Sequence, residues 1–227
     1  MQNANMAPGH DHMTDLFPRY SRRERTADAA VHAAGIGFVT LGGTFLIALA
    51  WPGDIGRLVA ISFYVFGLAA GIGCSALYNL VAAPRAKERL RRLDHAAIYV
   101  MIAGTYTPFA TLAIGGTWGK ILLVLVWTGA VLGVAVKLAL PRRFDRASMV
   151  AYLLLGWSIL PAIGPLVAAL SVTGLVLLFS GGALYSLGVL FHLAARLPYQ
   201  NAIWHAMVLA AAICHYLAVL GDLAVPP

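Results

Sequence analysis

Seven runs of about twenty mostly apolar residues, each set off by a short polar break, leave this 227-residue chain few folds to choose from. A run of that length, wound as a helix, crosses a hydrocarbon core of roughly 30 Å. Lipid offers the backbone no hydrogen-bond partner, so each run must satisfy its own amides as a helix. The runs cover 29–51, 58–83, 95–115, 119–140, 149–170, 172–195 and 202–224. The expected fold class is an all-α membrane protein, a seven-transmembrane helix bundle. It divides into a polar tail at 1–28 and one transmembrane domain at 29–224. Only a residue or two separates the fifth run from the sixth, so those helices are expected to be antiparallel neighbours.

Composition agrees. The chain is 60% hydrophobic and 11% charged, whereas soluble domains carry about 25% charged residues. The net charge of +7 would suggest nucleic acid in a soluble protein. Here the cations flank apolar runs, which points to membrane topology and anionic headgroups instead. Cys74 and Cys214 both lie inside runs and form no CxxC or Cys/His spacing, so they read as small apolar packing residues. The tail, with His10 and His12, lacks the apolar core of a cleavable signal. It is expected to be solvated, and the first span to direct insertion and to stay.

The basic residues alternate sides. Arg19, Arg22, Arg23 and Arg25 precede the first span; Arg85, Lys87, Arg89, Arg91 and Arg92 follow the second. Lys137, Arg142, Arg143 and Arg146 cluster around the end of the fourth, and Arg196 follows the sixth. The opposite side holds only Arg57 and Lys120. Cytoplasmic loops carry the excess of Lys and Arg, so the N-terminus is expected inside and the C-terminus outside. Glycines four apart, such as Gly67 and Gly71, predict close helix packing. Pro108, Pro161 and Pro165 predict bends in the third and fifth spans.

Ionisable groups inside a membrane helix are costly, so each needs a reason. Topology gathers them at one end of the bundle. Asp28 and His32 start the first span, Ser75 and Asn79 end the second, Asp94 and His95 start the third, His192 ends the sixth, and Asn201 and His205 start the seventh. Three of these pairs are spaced four apart, hence on one helix face. The pattern predicts an internal polar pocket opening to the cytoplasm. His215 lies ten residues beyond His205, about 15 Å along a helix, and reads as a hydrogen-bonded interior histidine outside that pocket.

The run LDHAAIYVMIAGTYTPF at 93–109 resembles the signature of the hemolysin III proteins, bacterial members of the progestin and adipoQ receptor family. SALYN at 75–79, NAIWHAMVLAAAICHY at 201–216 and DAAVHAAGIG at 28–37 fall in matching places and order. The resemblance covers residues 20–224. It implies a seven-helix bundle with a cytoplasmic N-terminus and a zinc ion near that face. The zinc ligands would be a histidine ending a Ser-x-x-x-His motif and both histidines of a His-x-x-x-His motif. An aspartate of the third helix would hold a metal-bound water. Related eukaryotic receptors are linked to hydrolysis of ceramide-like lipid amides.

This chain departs from the pattern at the chemistry. The first motif reads Ser75 to Asn79 and the second Asn201 to His205. His205 alone matches a ligand histidine, Asp94 matches the water-holding aspartate and Ser75 the motif serine. Of the first-helix Glu-x-x-Asn-x-x-x-His pattern only His32 is kept; Arg25 and Asp28 replace the others. Neutral amides are weak donors for zinc, which takes imidazole, thiolate or carboxylate. The leading expectation is therefore a protein of membrane lipid homeostasis or sensing, its partners membrane lipids, with a degenerate zinc site. The alternative is a metal-dependent hydrolase of lipid amides, with His205 as zinc ligand and Asp94 and Ser75 as catalytic residues. A pore-forming cytolysin ranks last, because polarity gathers near one face instead of running through the bilayer.

Overall fold

The structure, a computed structural model, describes residues 20–51, 54–81, 83–140, 142–194 and 196–224. The first part of the tail, with His10 and His12, lies outside the described residues. Helices run α1 (Arg22–Ala50), α2 (Ile55–Leu80), α3 (Pro84–Pro108), α4 (Gly116–Ala139), α5 (Asp145–Gly156), α6 (Ile163–Ala169), α7 (Val172–Leu193) and α8 (Gln200–Asp222). A π-helical turn, Phe109–Ile114, extends α3, and α5 and α6 together form one span. Among the described residues, seven spans are long and apolar enough to cross a membrane.

Local chemistry sets the helix starts. Ser21 caps α1 reciprocally with Glu24: the Glu24 amide donates to Ser21 Oγ at 3.3 Å, and the Ser21 amide to Glu24 Oε2 at 2.8 Å. Asp54 accepts from the Arg57 amide at 2.9 Å to open α2, and Ser171 from the Gly174 amide at 3.0 Å to open α7. Ser171 Oγ also donates to Asp222 Oδ1 at 2.8 Å, pinning the start of α7 to the end of α8.

Irregular backbone accompanies two of the three prolines, Pro108 and Pro161, while Pro165 lies within α6. The π-helical turn follows Pro108 directly and ends at Gly115 and Gly116, whose φ values of 58° and 52° suit residues without a Cβ. The fifth span breaks after Gly156, passes through a 3-10 turn at Leu160–Ala162 containing Pro161, and resumes as α6. Tyr106 of α3 repairs the break. Its hydroxyl donates to the Gly156 carbonyl at 2.8 Å and accepts from the Ile159 amide at 3.0 Å. Backbone groups freed by a kink within a membrane need such replacement partners.

The core is apolar and closely filled. Leu46, Ile61, Tyr64, Phe109, Val126, Leu166 and Val219 are almost fully buried. Helices α2 and α3 touch backbone to backbone: a Cβ on Gly104 would lie 2.7 Å from the Phe63 carbonyl oxygen, and one on Gly67 3.0 Å from that of Val100. Gly71 seats Met101 in the same seam. Gly37 and Gly73, by contrast, face no atom within 4 Å. Lys137, read from the sequence as a flanking cation, is 2% exposed and pairs with Asp145 at 2.7 Å.

Candidate functional site

Glu24 sets the site's register. Besides closing the α1 cap, its Oε1 accepts from the Tyr199 amide at 2.9 Å, just before α8 begins. The starts of α1 and α8 are thereby level, and Asp28 meets His205. The His205 Nδ1–H donates to Asp28 Oδ1 at 2.6 Å. The second Asp28 oxygen accepts from Asn201 Nδ2 at 3.1 Å. Asp28 is buried, so a carboxylate there depends on these donors.

The other two same-face pairs complete the cluster. The His32 Nδ1–H donates to the Asp28 backbone carbonyl at 2.8 Å, which turns Nε2 inward to lie 3.3 Å from Ser75 Oγ. His205 Nε2 lies 3.3 Å from the same oxygen. The two imidazoles meet edge to face with centroids 4.4 Å apart. Asn79 donates its Nδ2 to the Ser75 carbonyl at 2.9 Å, and its Oδ1 accepts from Asn201 at 3.1 Å. Three helices thus contribute Asp28, His32, Ser75, Asn79, Asn201 and His205 to one connected network.

A family-type zinc set does not fit this arrangement. The two side chains standing where ligand histidines are expected are amides. They are hydrogen-bonded to each other, to Ser75 and to Asp28. What does gather as metal-capable groups is a different trio, Asp28, His32 and His205, with ligand atoms within 4.8 Å of one another.

Asp94 joins this cluster to a second region. It lines a cavity of about 90 Å³ beside His32, Ser75 and His205, and also a larger one of about 140 Å³. Ile98, Met101, Tyr185 and Trp204 are shared walls. His95 and His192 lie on the larger cavity, away from the network. His95 Nδ1 donates to the Arg91 carbonyl at 2.9 Å, and His192 packs against Trp204 with centroids 5.2 Å apart. The larger cavity carries charged and imidazole groups at one end, from Asp94, His95, Asp145 and His192. Its walls farther in include Ile102, Leu153, Trp157 and Val189. His215 stands deep on it, with Nε2–H donating to the Leu178 carbonyl at 3.0 Å. The Nδ1 atoms of His192 and His215 are buried without a hydrogen-bond partner.

The sequence hides some of this. Glu24 is legible as a cap partner from its spacing to Ser21, but its hold on Tyr199 is not. Tyr185 and Trp204 carry no signal, since an aromatic residue in a span reads equally as lipid-facing. Lys137 and Asp145 are ordinary boundary charges until the fold pairs them beside the cavity.

The chain matches the family described as Haemolysin-III related over residues 20–216. It is 38% identical over 209 residues to a hemolysin-3 homolog of Bacillus subtilis (strain 168), covering 88% of this chain and 95% of that protein. It is 36% identical over 213 residues to hemolysin-3 of Bacillus cereus, covering 92% and 96%. The human monocyte to macrophage differentiation factor is 29% identical over 205 residues, covering 86% and 83%.

Proposed function

The chain belongs to the haemolysin-III-related family, and from that premise we propose that it binds a membrane lipid and serves lipid homeostasis or sensing. The headgroup sits at the end of the bundle carrying Asp94, His95, Asp145 and His192, and the acyl chain enters the apolar part of the larger cavity. In this reading that end faces the cytoplasm and the membrane is the bacterial inner membrane.

The observation that carries the reading is the cavity of about 140 Å³, charged at one end and chiefly apolar beyond it. That division matches an amphiphile, with charges fixing the head and apolar walls accepting the chain. The orphaned Nδ1 atoms of His192 and His215 on its wall support it. Buried ring nitrogens without partners are rare in folded proteins and suit a ligand's polar groups. The fifth span, which forms one side, is the least buried of the seven at 17% of its apolar window, and it is the broken one. A loosely packed, interrupted helix offers a lateral path from the bilayer.

Native mass spectrometry of the detergent-purified protein tests the reading, with lipid extraction alongside. The expected result is a co-purifying lipid at near one per chain, sharply reduced when Val189→Trp fills the cavity. Equal lipid in the parent and in a monodisperse, folded Val189→Trp variant would overturn it.

A further inference from the structure

Resting on the lipid-binding reading, we propose that Asp94 and the two aromatic residues that share its position, Trp204 and Tyr185, form the site for a primary ammonium group on the lipid head.

Asp94 is a carboxylate without a donor. Its side chain is only 14% exposed, and among the described residues the one ionisable group it meets is the neighbouring imidazole, with His95 Nδ1 at 3.5 Å. That nitrogen donates to the Arg91 carbonyl at 2.9 Å instead. The other cations at this end are engaged elsewhere. Arg91 pairs with Glu88 at 3.3 Å and with Asp145 at 3.5 Å, and Lys137 pairs with Asp145 at 2.7 Å. A carboxylate drawn largely out of water without hydrogen bonds is costly. A ligand bringing both positive charge and N–H groups removes that cost.

The surroundings select the kind of cation. Asp94, Trp204 and Tyr185 each line both cavities, so two aromatic rings border the space in front of the carboxylate. Ring faces attract ammonium groups. His192 packs against Trp204 with centroids 5.2 Å apart, and its buried Nδ1, without a partner, can take a second N–H. A quaternary ammonium has no hydrogen to give, whereas a primary one carries three donors. An anionic head would set like charge against Asp94. A divalent metal needs several ligand atoms, and among the described residues the metal-capable trio is Asp28, His32 and His205, without Asp94.

The test uses the full chain, purified in detergent and titrated with dimyristoyl phosphatidylethanolamine, phosphatidylcholine and phosphatidylglycerol, with native mass spectrometry reading the bound fraction. The chains are identical, so only the head differs. The ethanolamine lipid should bind at least roughly ten-fold tighter than the other two, the scale of a charge-assisted hydrogen bond. Asp94→Asn keeps the side chain's size and should bring all three to one level. Excess free ethanolamine should not displace the lipid. Equal binding of the three lipids, all lost in Val189→Trp, would overturn the amine site and leave the lipid-binding reading standing. Binding that Val189→Trp does not change would overturn that reading and this proposal with it. A preference that survives in a folded Asp94→Asn variant would overturn the proposal alone. Displacement by free ethanolamine would also overturn it, assigning the site to a soluble amine.

Discussion

Asn201 of α8 donates its side-chain nitrogen to the Asn79 side-chain oxygen of α2 at 3.1 Å, so the two amides that replace expected histidines are partners. Neither is an isolated loss. Asn79 also donates to the Ser75 carbonyl, and Asn201 to Asp28. Two substitutions made in contact should depend on each other energetically.

Alanine at either position should therefore lower stability by about 1 kcal/mol, the net contribution typical of a hydrogen bond. The double variant should cost less than the sum, with a coupling of at least about 0.5 kcal/mol. Unfolding of the four proteins in mixed detergent measures it, and strict additivity would show that the pair does not interact.

Asp28 holds His205 from within the bundle, and both side chains are about nine-tenths buried. Asp28→Ala strands the imidazole and removes an acceptor from Asn201, which should cost about 3 kcal/mol. Asp28→Asn keeps an oxygen for the His205 N–H but sets its amide nitrogen against the Asn201 donor, so it should lose less than the alanine variant without matching the parent. Equal losses in thermal melts of the two variants would argue against the carboxylate oxygen as the stabilising feature.

Glycines with the same appearance in the sequence should respond in opposite ways. Gly104→Ala drives a methyl into the Phe63 carbonyl and should destabilise by about 1–3 kcal/mol as α2 and α3 separate. Gly37→Ala meets no atom within 4 Å and should be neutral or slightly stabilising, given alanine's better helix propensity. Melting temperatures rank them; a harmless Gly104→Ala would contradict the close seam.

Lys137 is buried against Asp145, which Arg91 also approaches at 3.5 Å. Lys137→Met removes the closer counter-charge and should destabilise the α4–α5 junction by about 1–2 kcal/mol, since Asp145 is partly solvated and keeps Arg91. Adding Asp145→Asn should recover part of that loss. If the second change deepens the loss instead, the pair is not the relevant interaction.

Orientation has a direct check. With the basic loops inside, a cysteine at Arg89 should resist a membrane-impermeant thiol reagent in intact cells, while one at Lys120 should react. Cys74 and Cys214 are replaced first. The reverse labelling pattern would invert the proposed topology and move the polar cluster to the outer face.

The sequence by itself determined the number, kind and approximate limits of the spans. Span length is fixed by bilayer thickness and span conformation by the lack of backbone partners in lipid, both of which act through local composition. It also determined which residues share a face: Asp28 with His32, Ser75 with Asn79, and Asn201 with His205 follow from helical spacing. Topology then placed those faces at one end of the bundle. Only the tertiary structure decided that the three faces meet, because rotation and depth of packed helices depend on distant contacts such as Glu24 with the Tyr199 amide. The same cause separated His95 and His192, at similar depth, onto the larger cavity. It made Asp28 an orienting carboxylate instead of an interfacial one, and joined two asparagines whose partnership lies 122 residues apart in the chain.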